Sequence, residues 1–139
     1  MFGKFMRSAK KVTNANLMEA IVAGCVLVAA ADGTVSRDEL AKVEKLLNNN
    51  DNLAAFAGSE IKKTITRYQN VLEADFGVGQ AKMLKEIREI ADNPEQCEEV
   101  FLNMLAVAKA DNSIDESEKA VLIRVASELG QNVADYGIT

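Results

Sequence analysis

Ala31-Asp32-Gly33-Thr34-Val35-Ser36-Arg37-Asp38-Glu39 and, 79 residues later, Ala110-Asp111-Asn112-Ser113-Ile114-Asp115-Glu116-Ser117-Glu118 are two versions of one stretch. Each follows a long apolar segment and opens a charged one with helical spacing, so each reads as the elbow of a helical hairpin. The equivalence runs upstream, pairing Val28 with Val107 and Ala29 with Ala108, and downstream, pairing Ala41 with Ala120 and Val43 with Leu122. The chain is therefore a duplicated unit, with an internal repeat around 16–47 and 95–126. An all-α, single-domain helical bundle made of two similar helical-hairpin halves is expected.

Composition agrees. A chain of 139 residues is long enough for one domain that buries roughly 68% of the surface its unfolded form exposes. It is 48% hydrophobic but only 5% aromatic, with 27% charged residues and one proline, which suits aliphatic helices packed on one another rather than a β-sandwich. The net charge of −5 is unevenly placed: Lys4, Arg7, Lys10 and Lys11 all precede the first acid, Glu19, so the remaining body carries about −9. Such a body repels phosphate, and no basic stripe with interleaved aromatics offsets it, so no nucleic acid is expected among the partners.

There is no histidine, and the two cysteines, Cys25 and Cys97, stand singly. Thiolate or imidazole metal sites and Cys/His catalytic pairs are excluded by residue count. Cys25 lies in an apolar run and reads as a small buried hydrophobe, a usage that fits a reducing cytoplasm. The basic start leading into Ile21 to Ala31 resembles a secretory leader, but the same apolar segment recurs at residues 100 to 110, where it can only be a core helix. Eleven uninterrupted apolar residues also fall short of the ~20 that a membrane span needs.

Along the chain, residues 1–13 form a separate basic amphipathic segment ahead of a domain over 14–139. Phe2, Phe5, Met6 and Ala9 share one helical face, and the four cations lie elsewhere, a pattern that suits weak contact with an anionic membrane surface or a partner through residues 1–12. Asn16 to Glu19 has capping-box spacing and opens a helix over 16–31, apolar nearly all round and hence central. Ser36 to Glu39 repeats the spacing before a helix with Leu40, Val43 and Leu47 on one face. A short helix is expected at 52–57, and helical period then runs from Ile61 to about residue 74. Gly77 and Gly79 break that period until residues 80–91. Asn93-Pro94-Glu95-Gln96 opens the next helix, and Asp115-Glu116-Ser117-Glu118 caps the last, which Gly130 stops. About seven helices, two of them short, are expected.

The elbows concentrate acids: Asp32, Asp38 and Glu39 in the first; Asp111, Asp115, Glu116 and Glu118 in the second. Alternating oxygen ligands suit a hard cation, and Asp111-x-Ser113-x-Asp115-x-Ser117 begins like an EF-hand loop. It ends differently, with Glu116 where glycine is needed and Leu122 where a bidentate carboxylate is needed. Glu39 and Glu118 also occupy the positions of capping glutamates, where the helix dipole favours acids with no metal present. Asp32 and Asp111 sit just past a helix C-terminus, where the dipole disfavours anions. Either a cation or a turn in which Asp accepts from amides two residues on compensates them. Were the halves related by a two-fold axis, Asp32, Glu39, Asp111 and Glu118 would share one patch.

Taken together, AAADGTVSRDELAKV, AKADNSIDESEKAVLIRVASELG and the intervening LEADFGVGQAKMLKEIREIADNPEQ resemble the TerB family of bacterial tellurite-resistance proteins, over nearly the whole chain. The resemblance implies an all-helical bundle of two similar halves and a role in tellurite resistance and related stress. It implies a divalent cation, Ca²⁺ or alternatively Mg²⁺, held by Asp32 and Glu39 in the first turn and Asp111, Asp115 and Glu118 in the second. It also implies a TerC-like integral membrane partner, met from the cytoplasmic side of the inner membrane by a peripheral protein. Asn112 departs from the family's usual glycine, but Asn tolerates the left-handed conformation such a turn requires.

Three function classes follow. The first is a non-enzymatic, cation-binding module of the tellurite-resistance system. The second is a plain helical interaction scaffold whose acids are caps. The third is a metal-dependent hydrolase, for which there is no histidine, no evident base apart from the acids and no phosphate-binding glycine loop. Direct tellurite reduction would need an activated cysteine or a redox-cofactor motif, and neither is present.

Overall fold

The computed structural model describes residues 14–138, with the side chain of Asp111 left out. The basic segment over 1–12 lies outside the described residues. Among these residues there are six α-helices and three 3-10 turns, and no strand.

Helix α1, Ala15–Ala29, is the centre of the bundle. Leu17, Met18 and every residue from Ala20 to Val28 are buried, so this helix has a core on all sides. It starts two residues before the expected box: the extended backbone of Asn14 lets its Oδ1 accept the N–H groups of Asn16 (2.8 Å) and Leu17 (3.4 Å). Helix α2, Arg37–Asn48, opens at Ser36, whose hydroxyl accepts the Glu39 N–H, and buries Leu40, Val43 and Leu47. The short helix expected at 52–57 is instead a 3-10 turn over Asp51–Leu53, set by Asn50 accepting from Asn52 N–H and anchored by buried Leu53.

Helices α3, Gly58–Ala74, and α4, Phe76–Arg88, meet at Asp75, which caps α4 by accepting the Val78 N–H at 2.9 Å. The glycines expected to break this region lie inside α4. Gly79 is buried there because α3 and α4 touch at it: a Cβ would stand 2.9 Å from the Val71 carbonyl oxygen and 3.0 Å from Leu72 Cα. It serves close approach rather than a break.

Helix α5, Pro94–Ala108, starts as the sequence indicates, with Asn93 accepting the Gln96 N–H and Pro94 in the first turn. Its main partner is α1. The two touch at Gly24, where a Cβ would meet the Met104 side chain at 2.7 Å. Helix α6, Glu116–Leu129, closes the bundle with Leu122, Val125, Ala126 and Leu129 and ends on Gly130 in the left-handed conformation. A last 3-10 turn, Val133–Tyr136, lays Tyr136 against Phe101, ring centroids 4.9 Å apart, and buries Ile138.

The two halves agree in their backbone bonds. Met18 N–H donates to Asn14 O and Cys97 N–H to Asn93 O; Gly33 N–H donates to Ala30 O and Asn112 N–H to Lys109 O. In both comparisons the partners stand 79 positions apart.

Candidate functional site

Both elbows are built by the same local chemistry. Each tightens into a turn through a residue in the left-handed region, Gly33 at φ 89° and Asn112 at φ 73°. Among the described residues Asn112 is the one non-glycine at positive φ, a place where asparagine costs less than most residues. The turn thus forms in both halves.

Helix pairing brings the elbows to one end of the bundle. Glu39, Lys42, Val43 and Leu46 of α2 meet Val107 and Ala110, at the end of α5, across a narrow crevice. Reciprocally, Leu27 and Ala31, at the end of α1, meet Ser117, Ala120, Val121, Arg124 and Val125 of α6 across a cavity of about 260 Å³ that α4 completes with Gln80 and Leu84. Ala31 and Ala110 are repeat equivalents, so each half lends its first helix to the second helix of the other.

The acids are occupied in different ways. Asp32 is exposed, and its Oδ1 accepts both the Thr34 N–H (3.0 Å) and the Thr34 hydroxyl (2.7 Å). The hydroxyl bond first, and then the backbone bond, hold its carboxyl below the usual carboxylate range. This is the turn-forming arrangement, and it supplies the positive partial charge that the dipole argument demands. Asp115 and Glu118 form a complete capping box: Asp115 accepts the Glu118 N–H at 2.8 Å, and Glu118 accepts the Asp115 N–H at 3.0 Å. Glu39 stands 3.6 Å from Lys42, one turn along α2. Asp111 ends the 3-10 turn Lys109–Asp111. Among the described residues no three acidic or cysteine side chains gather into a group able to hold a metal ion.

Two polar clusters elsewhere have no local signature in the sequence, because each joins segments far apart in the chain. Tyr68 of α3 is buried; its hydroxyl donates to Glu86 of α4, and Arg67 stacks on its ring and lies 3.5 Å from Glu19 of α1. Asn103 of α5, also buried, donates to the carbonyl and carboxylate of Glu99 and accepts from Asn50. The first staples α1, α3 and α4 together, and the second ties α5 to the turn that follows α2. Cys25 and Cys97 are buried and free, and burial raises the pKa of both thiols, the opposite of nucleophile activation.

The family model for tellurite resistance protein TerB matches residues 18–138. The chain belongs to the TerB family. The match spans both elbows and all six helices except the first three residues of α1, so the duplicated helical bundle described above is this chain's TerB domain. No curated protein and no solved structure gave a significant match. Membership in this family ties the chain to tellurite resistance. Among the described residues no helix is long and apolar enough to cross a membrane.

Proposed function

We propose that this TerB protein is a non-enzymatic module of the tellurite-resistance and stress response whose working surface is the elbow end of the bundle. The observation that carries this reading is the reciprocal packing of α1 on α6 and α5 on α2, which brings two acidic turns to one end. Asp32, Glu39, Asp111, Asp115 and Glu118 are the residues assigned to a divalent cation, Ca²⁺ or Mg²⁺. Their chemistry suits it, since hard cations take carboxylate oxygens. Their arrangement is not a ready-made cage: Asp32 is engaged by Thr34, and Asp115 and Glu118 by their cap. An ion there keeps much of its water, which both cations tolerate, and binds weakly.

The partner in this reading is a TerC-like integral membrane protein. The module works on the cytoplasmic side, peripheral to the inner membrane, and residues 1–12 add a weak contact with anionic lipid. A test is tellurite survival of cells in which this chain carries Asp32→Ala with Asp111→Ala. Loss of resistance at unchanged protein level supports the elbow end as the working surface; full resistance contradicts it.

The metal-free scaffold is the second reading, and the capping box of Asp115 with Glu118 favours it. There the elbow acids are caps and turn formers, and the partner binds the bundle without a cation.

A further inference from the structure

Among the described residues, one helix face is exposed in the second half whose repeat equivalent is buried in the first. On α5, Leu102 is 39% exposed, Ala106 is exposed and Val107 is half-buried. Their equivalents on α1, Ala23, Leu27 and Val28, are 0%, 3% and 1% exposed. Helix α4 packs along α1, and its Leu84 lines the same cavity as Leu27. Helix α4 is also the segment that immediately precedes α5 in the chain. In a two-fold arrangement the segment that immediately precedes α1 belongs on α5.

That segment is residues 1–12, and its pattern fits. The core face of α4 is Met83, Leu84 and Ile87, continued in the turn after it by Ile90, all buried. Phe5, Met6, Ala9 and Val12 have the same spacing. Both segments lead into an Asn that caps the next helix, Asn93 and Asn14, with one residue fewer in the first connection. Charge is complementary as well. Glu95 and Glu99 continue the Leu102–Ala106 stripe at helical spacing, and the segment carries Lys4, Arg7, Lys10 and Lys11.

We propose that residues 1–12 dock intramolecularly on the exposed α5 face, over Leu102, Ala106 and the crevice with α2, in the place that α4 takes on α1. Gln80 and Leu84 lie beside Ala31 and Leu27 in the first half. The corresponding register sets Phe2 near Ala110 and Met6 near Ala106. Lipid and α5 use the same apolar face of the segment, so membrane contact draws on its undocked fraction.

The test uses the full chain with Gly3→Cys carrying a nitroxide, Cys25 and Cys97 being buried. Docking predicts loss of amide NMR signal at residues 102–110 and 39–46, and recovery of that signal when Leu102→Glu is added on the partly exposed strip. Four results overturn it: no loss, loss instead around the α1–α6 cavity, loss that survives Leu102→Glu, or loss that appears only between differently labelled molecules, which would indicate a second copy.

Discussion

Asp115 and Glu118 satisfy each other's backbone: each side chain accepts the other's N–H, at 2.8 and 3.0 Å. The bond closes the second elbow and starts α6 without any ion. Replacing Asp115 by Ala removes the cap and is expected to cost about 1 kcal/mol. Urea unfolding in chelator measures it. Glu118→Ala, which leaves the Asp115 acceptor in place, is expected to cost less.

Gly79 sits under the α3 backbone, so Gly79→Ala forces the helix pair apart although alanine is the better helix former. A loss of about 1–3 kcal/mol is expected. Gly77→Ala, whose Cβ would meet only the Asp75 side chain at 3.7 Å, is expected to be neutral or slightly stabilising. Thermal unfolding of the two variants side by side checks the contrast.

Asp32 gives a pH signature. Its folded pKa is held below its ordinary value of 3.8 by the Thr34 hydroxyl and N–H, so its contribution to stability is present above that value and is lost as pH falls through the lower folded one. Thr34→Val deletes the hydroxyl bond and keeps the amide bond. Carboxyl NMR titration is expected to show the Asp32 pKa rising toward the ordinary value without reaching it.

Those three sites also show what the sequence could carry. The elbows, the Ser36, Asn93 and Asp115 caps and the all-helical halves were legible because each depends on residues within four positions of one another. The role of Gly79 was not, since a glycine that serves contact looks the same in sequence as one that breaks a helix. Asn14 displaced the expected start at Asn16 because a cap is chosen by the extended backbone ahead of the helix, which spacing does not report. Of the acids, Asp32 held two readings in the sequence, and its bonds to Thr34 realise the turn.

Tyr68 joins α1, α3 and α4 through one hydroxyl and one ring. Burial first, and the Glu86 bond second, raise its pKa well above the usual tyrosine value of 10.0. The neutral phenol is the folded form, so its contribution is full below that ordinary value and is lost as pH rises through the folded pKa. Tyr68→Phe is expected to cost about 1 kcal/mol, since Glu86 keeps Arg67 at 3.8 Å and partial access to water. Ultraviolet titration of wild type should show no Tyr68 ionisation until the fold opens.

In the proposed function the elbow end responds to a divalent cation. The most direct measurement is amide NMR of metal-stripped protein titrated with Ca²⁺ and with Mg²⁺, for wild type and for Asp32→Ala with Asp111→Ala. Saturable shifts confined to residues 31–39 and 110–118 are expected, and they disappear in the double variant. Absent shifts, or shifts spread over every acidic surface and unchanged in the variant, would contradict it and leave the elbows as caps and turns.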